Sequence, residues 1–272
     1  MTSKKKLLFF LFVLSSTIYV FKLTVTTRAP SYRLPRGRAC IFRSSNFLPH
    51  ESGHHATRSD ENPLTPKELR LVSRVIRSKP NGNLLFFGIN PQLLALAEAD
   101  GVRTAIFLED DPERIRRFRP QRHRGTTVHR VSYREEAHRA YELLRHGRED
   151  AGCRRRVLGR DASSRCRLRL NDLPREVYDK SWDVVVVDGP RGDRPEAPGR
   201  MAAIYTAAAM AWTRNETDVL VHDVDRTIEK WFSWEFLCHE NLVSAKGKLW
   251  HFRLRGGSQS HSFCTAKTFQ IL

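Results

Sequence analysis

The sequence predicts an α/β protein built on a doubly wound, largely parallel sheet. Two observations carry this. From residue 64 onward, short apolar runs alternate with segments of helical periodicity, which is the pattern of strand–helix units. The run Val184–Val187 has no polar residue on either face, which fits a central strand covered on both sides and not an edge strand.

Order begins at Leu64-Thr65-Pro66-Lys67-Glu68. Thr65 can cap a helix, Pro66 fits its first position and Glu68 completes a capping box. This helix carries Leu69, Val72 and Ile76 on one face and ends before Pro80. Strands are then expected at Asn83–Phe87, Thr104–Leu108, Thr127–Val131, Asp183–Asp188 and Asp218–His222. Helices are expected at Pro91–Ala99, Pro112–Phe118, Glu135–Leu144, Arg200–Trp212 and Thr227–Leu237. Leu242–Ala245 and Lys248–Leu254, joined at Lys246-Gly247, read as a closing β-hairpin.

The N-terminus has a different character. MTSKKK precedes nineteen residues, LLFFLFVLSSTIYVFKLTV, interrupted only by Lys22. That length is close to the ~20 residues a helix needs to cross a bilayer. Lys4, Lys5 and Lys6 place the preceding tail in the cytosol, and a cleaved signal peptide is the alternative. The expected plan is a cytosolic tail (1–6), a transmembrane signal anchor (7–25), a lumenal stem (26–61), a folded domain (62–255) and a C-terminal tail (256–272). His50, His54 and His55 fall in the stem and read as solvated side chains.

The formal net charge is +17, of which +8 lies in residues 1–60. A basic face attracts nucleic acid, anionic headgroups or an acidic polymer. No nucleic-acid recognition motif accompanies the charge, and a membrane anchor conflicts with that use. Of the five cysteines none forms a CxxC pair, which argues against a zinc site. Cys153 and Cys166 bracket an Arg-rich loop of twelve residues and suit a disulfide in an oxidising compartment, whereas the state of Cys40, Cys238 and Cys264 is not legible. Asn215-Glu216-Thr217 is an N-glycosylation acceptor triplet.

The chemistry concentrates at strand ends. Gly88 follows the first strand, where a missing side chain lets backbone approach a ligand. Glu109 ends the second strand, where a carboxylate can accept from both hydroxyls of a ribose. A first loop this poor in glycine fits S-adenosylmethionine better than a dinucleotide, because no pyrophosphate has to be cradled. Asp110 and Asp111 read as the opening of the next helix. Asp188 ends the fourth strand and His222-Asp223 the fifth, making Asp188, His222 and Asp223 the candidate catalytic group, and Asp188, which would flank the methyl donor, joins Gly88 and Glu109 as a candidate donor-binding residue. Asp188 and Asp223 are also candidate ligands of a divalent metal ion that would acidify an acceptor hydroxyl. Capping of the helix near Thr227 by Asp223 and Asp225 is the alternative. The loop after Asp188 supplies Arg191, Asp193, Arg194, Glu196 and Arg200, of which the arginines could bind a uronic acid carboxylate in bidentate fashion.

DGPRGDRPEAPGRM, VHDVDRTIEKWFSWEFLCHENL and KGKLWHFRL, with LLFFGINPQ and FLEDDP upstream, resemble the plant glucuronoxylan 4-O-methyltransferases. These belong to a wider family of Golgi polysaccharide-biosynthesis proteins that includes the irregular-xylem-15 branch. The resemblance spans roughly residues 62–255. It implies a Rossmann-like, S-adenosylmethionine-dependent methyltransferase sheet and a single-pass type II protein of the Golgi membrane with its catalytic domain in the lumen. The implied acceptor is O-4 of glucuronic acid on glucuronoxylan, with other xylan-synthesis enzymes as partners. A non-catalytic scaffold of the irregular-xylem-15 type is the rival expectation.

Overall fold

In a computed structural model the described residues are 62–99, 101–117, 125–153, 166–213, 216–256 and 263–264. They belong to a compact unit, Ser59–Leu272. The expected anchor, the stem, Cys40 and Asn215 lie outside them.

Chain order explains the layers. Helix α1 (Pro66–Arg77) starts at the expected capping box, with Thr65 N–H donating to Glu68 Oε2 at 2.6 Å. Its buried face is Glu68, Leu71, Val72, Val75 and Ile76, and Leu69 is only half-buried. Strand β1 (Gly82–Phe87) leads to α2 (Pro91–Ala97), capped by Asn90 Oδ1 accepting from Leu93 N–H at 2.8 Å. Then follow β2 (Val102–Glu109), α3 (Pro112–Arg117), β3 (Thr126–Arg130), α4 (Ala140–Glu149), α5 (Arg175–Asp179), β4 (Val184–Val187), α6 (Met201–Trp212), β5 (Thr217–Val221), α7 (Thr227–Phe236), β6 (Leu242–Lys246) and β7 (Leu249–Leu254).

The sheet runs β3-β2-β1-β4-β5-β7-β6, a doubly wound order that reverses between β1 and β4. β1 to β5 pair in parallel, β7 pairs antiparallel with β5, and β6 closes the hairpin. β4 lies between β1 and β5. Val185 and Val187 join the apolar cluster under α4, α6 and α7, whereas Val184 and Val186 join the cluster under α1 and α2. That two-sided cover is why the valine run is unbroken. All twelve residues of α6 are buried, as an all-round apolar helix requires.

Two expectations need correction. The helix expected from Glu135 begins later: the Ala137 and His138 N–H groups donate to Ala197 O and Pro195 O, both at 2.9 Å. Those bonds to the loop after β4 hold Glu135–Glu136 extended, with a 3-10 turn at Ala137–Arg139 before α4. Within the expected C-terminal tail, Phe263 and Cys264 join the domain. Phe263 is buried against Tyr205 and Phe236, and Cys264 forms a disulfide with Cys238. Leu168, Leu170 and Leu173, in a stretch without an assigned element in the sequence, belong to the core beside a second disulfide, Cys153–Cys166.

At the amino end of β5, Asp218 is fully buried and meets His251 Nε2 at 2.7 Å, Arg253 Nε at 2.9 Å and Lys79 Nζ at 3.0 Å. Burial alone would raise its pKa, but the bonds from His251, Lys79 and Arg253 outweigh it and bring the group from 3.8 to about 2. A depressed carboxylate stabilises the fold above its unfolded pKa and loses that contribution as pH falls through the folded value. The wild-type chain should therefore lose about 2 kcal/mol through this group between about pH 4 and about pH 2. Urea titrations across that range should show Asp218→Asn, already weaker at pH 5, to be flatter. Parallel curves would remove Asp218 from the acid response.

Candidate functional site

The carboxyl ends of β1, β4 and β5 surround a cavity of about 520 Å³, within the ~300–1,000 Å³ usual for ligand sites. Its floor is made by the residues that end β4 and β5. Asp188 is nearly buried: its Oδ1 lies 2.8 Å from His222 Nδ1, and its Oδ2 accepts from Asn90 Nδ2 at 2.7 Å. Burial would raise the Asp188 pKa, but the bond to His222 and the charge of Arg200 hold it below the usual carboxylate value. Burial likewise opposes charge on His222, yet Asp188 and Asp223 raise its pKa above the ordinary imidazole value. His222 is 1% exposed and does not line the cavity. It stands behind Asp188.

Asp223 takes a left-handed backbone conformation, φ 60. A non-glycine residue there carries strain of about 1 kcal/mol or more and persists where its surroundings hold it. Here Asp223 Oδ2 accepts from Arg200 Nη2 at 2.9 Å and Oδ1 from Asn62 Nδ2 at 2.6 Å. Asp223 does not cap α7: the cap position is Arg226, whose side chain makes no capping bond to the helix backbone.

Arg200, expected to face substrate, is committed to the fold. It is 3% exposed, and its guanidinium donates to Pro190 O, His222 O and Asp223 Oδ2, all at 2.9 Å. It also lies 3.6 Å from Asp188 Oδ1. The same guanidinium answers the metal question. Asp188, His222 and Asp223 do cluster closely enough to suggest a metal site. However, a fixed positive charge already sits between the two carboxylates, and their four oxygens accept from His222, Asn90, Asn62 and Arg200. This donor set does not fit a divalent ion, so the expected metal role of Asp188 and Asp223 is withdrawn.

Gly88 and Glu109 also differ from expectation. Gly88 has φ +92, and a Cβ there would lie 2.8 Å from Gly189 N, so glycine is required where the β1 and β4 loops meet backbone to backbone. Glu109 is 2% exposed. Its Oε2 accepts from Ile89 N–H at 2.9 Å and its Oε1 from the Asp110 and Asp111 N–H groups at 3.1 Å. Burial pushes its pKa up to about 7 against the pull of Arg114. It staples the loop after β1 to the end of β2 and does not line the cavity. Beyond it, Asp110, Ser132 and Tyr133 border a second hollow of about 430 Å³ at the ends of β2 and β3.

Of the loop after Asp188, Arg191 and Asp193 reach the cavity, whereas Arg194 and Glu196 are exposed and do not line it. Five cations line the wall against three carboxylates, an excess that favours an anionic ligand. Four of them are engaged. Arg200 is described above, Arg114 donates to Ile89 O, Arg226 holds Arg191 O and Glu229, and Lys248 pairs with Asp225 at 3.1 Å. The half-buried Arg191 guanidinium, among the described residues, has no hydrogen-bond or ion-pair partner. Sequence reasoning missed Asn62, Asn90, Arg226 and Lys248. Only Asn90, in the cap position between β1 and α2, left a local signal.

The family described as IRX15/IRX15L/GXM matches residues 67–252, most of the folded domain. The chain belongs to this family. Glucuronoxylan 4-O-methyltransferase 1 of Arabidopsis thaliana is 34% identical over 96% of this chain and 96% of its own length. From the same plant, Protein IRREGULAR XYLEM 15 is 38% identical over 79% of this chain and 68% of its own. Arabinogalactan O-methyltransferase 1 is 35% identical over 74% and 70%. Among solved structures, a methyltransferase-like protein of Silicibacter pomeroyi aligns at 14% identity and TM-score 0.39, covering 72% of this chain and 89% of that one. The family thus contains members named as methyltransferases and members that are not.

Proposed function

We propose that the chain transfers a methyl group from S-adenosylmethionine to O-4 of glucuronic acid side chains on glucuronoxylan. The observation that carries this is the free Arg191 guanidinium in a cation-rich cavity whose floor holds two ordered carboxylates. A guanidinium binds a uronate carboxylate through two parallel hydrogen bonds, and a floor carboxylate can take the acceptor's proton. The donor, when bound, supplies an electrophilic methyl carbon. Asp193 together with the cavity's arginines fits its zwitterionic amino-acid end, and the hollow beside Asp110 and Tyr133 suits its nucleoside. In this reading Glu109 and Gly88 shape the donor site from behind. Asp188 and Asp223 orient the hydroxyl, and one of them would accept its proton as the oxygen–carbon bond forms and the donor's carbon–sulfur bond breaks, leaving the neutral thioether.

Two disulfides support an oxidising compartment. With the apolar segment 7–25 they favour a Golgi-lumenal domain on a membrane anchor, acting beside other xylan-synthesis enzymes. A second reading has its own support. Every oxygen of Asp188 and Asp223 is already hydrogen-bonded and Glu109 is turned inward, as a non-catalytic scaffold of xylan synthesis would allow.

Full-length protein in detergent should be incubated with methyl-labelled donor and, separately, unmethylated glucuronoxylan, arabinogalactan and unsubstituted xylan, and the methyl position determined. Label at O-4 of glucuronic acid on the first polymer is expected. Label on arabinogalactan alone moves the substrate, and no donor binding by calorimetry favours the scaffold. Arg191→Ala should raise KM for glucuronoxylan about 10–100-fold, the scale of a lost charged hydrogen bond. Donor affinity should hold, and an unchanged KM would take the uronate away from Arg191.

A further inference from the structure

We propose that Glu68, the glutamate of the α1 capping box, is a positioning residue for methyl transfer that holds His222 and, through it, Asp188. The proposal rests on the reading of this cavity as a methyl-transfer site. Glu68 is 1% exposed, and its carboxylate does more than cap. Oε2 accepts from Thr65 N–H and lies 3.8 Å from His222 Nε2, while Oε1 accepts from Lys248 N–H at 2.6 Å. On the opposite edge of the ring, His222 Nδ1 meets Asp188 Oδ1 at 2.8 Å, and Asp188 Oδ2 meets Asn90 Nδ2 at 2.7 Å.

One chain of contacts therefore runs from the β6–β7 turn through α1, β5 and β4 to the cap of α2. The turn is built around the carboxylate. Gly247 has φ +57, and a Cβ there would lie 2.4 Å from Glu68 Oε1. A capping box requires only Thr65 and Glu68. Nothing in it calls for burying the glutamate beside an imidazole.

An imidazole between two carboxylates is held with a proton on each nitrogen, because each neighbour favours the charged ring. The charged groups facing His222 are Asp188 after β4, Asp223 on its own loop, Glu68 from α1 and Arg200 at the start of α6. Three anions outnumber one cation. The charged ring then fixes Asp188 as an ionised carboxylate in one orientation at the cavity floor. Glu68 touches neither cavity nor substrate and acts through the ring.

Three forms of the full-length chain test this: wild type, Glu68→Gln and Thr65→Ala, the last removing the cap hydroxyl while keeping the carboxylate. In wild type at pH 7.5, nitrogen NMR should find both His222 ring nitrogens protonated. In Glu68→Gln the ring should lose its protons at lower pH than in wild type, the direction expected when an opposite charge within ~4–6 Å is lost, and kcat should fall about tenfold or more. Donor Kd should stay within about twofold, since Glu68 does not line the cavity. Thr65→Ala should lower Tm and leave kcat and the ring unchanged. The proposal is overturned if Glu68→Gln lowers Tm as Thr65→Ala does but alters neither ring nor kcat. Should Glu68→Gln fail to fold, a neutral His222 in wild type overturns it equally. If wild type transfers no methyl group to any glycan, the functional reading fails while the NMR arm still judges the contact.

Discussion

Replacing Arg200 with methionine should lower the unfolding free energy by about 3–5 kcal/mol, the range for removing one partner from a buried ion pair. The reason lies in what the guanidinium joins. It donates to backbone carbonyls on the β4 and β5 loops and to Asp223, and it lies 4.0 Å from buried Glu229 on α7. Methionine fills similar volume but satisfies none of these acceptors, so two carbonyls and a strained aspartate are left buried without their donor. Burial already raises the Glu229 pKa against the pull of Arg200 and Arg226, and losing Arg200 raises it further. Arg200→Lys restores the charge but not a fork that reaches three oxygens, and should recover only part of the loss. Urea denaturation of the three proteins at neutral pH measures this. A methionine variant within about 0.5 kcal/mol of wild type, the ordinary effect of a surface substitution, would show that the β4 and β5 loops hold together without the guanidinium.

Arg200 also marks where sequence reasoning stops. In DGPRGDRPEAPGRM it cannot be told from Arg191 or Arg194 by type or surroundings. Its burial depends on the loop turning back so that the residue before α6 lies under the ends of β4 and β5, a tertiary fact with no local trace. Arg191, three residues past Asp188, keeps its guanidinium unpaired. The sheet was legible for the opposite reason: Val184–Val187 announces its two-sided cover residue by residue. The helix start at Thr65 was readable from side-chain chemistry within three positions. The expected helix at Glu135 failed because its amide hydrogens are claimed by a loop some sixty residues away. Glu109 was placed correctly at the end of β2, but its direction was not readable. Three nearby backbone N–H groups turn it inward.

Asp188→Asn should leave donor binding nearly intact and reduce methyl transfer by about 100-fold or more, the scale of acid–base catalysis. The substitution keeps shape and removes charge. An asparagine oxygen can still accept from His222 Nδ1–H, but its amide nitrogen then faces Asn90 Nδ2, donor against donor, where Asp188 Oδ2 accepted at 2.7 Å. Buried His222 loses its nearest counter-charge, so the pKa that Asp188 raises falls back. Two sources of loss can be separated. If Asp188 only supports the loop, the variant should be less stable and, at temperatures where it remains folded, transfer at the wild-type rate. If Asp188 orients or deprotonates the acceptor, transfer fails in folded protein. In that case kcat falls while donor Kd stays within about threefold, because the lost interaction belongs to the transition state and not to donor binding. Single-turnover rates on glucuronoxylan, with calorimetry of the donor and circular dichroism on the same samples, decide between them. A folded variant that methylates at the wild-type rate would return Asp188 to the role of a loop anchor and leave Asp223, fixed by Asn62 and Arg200, as the remaining floor carboxylate able to take the proton.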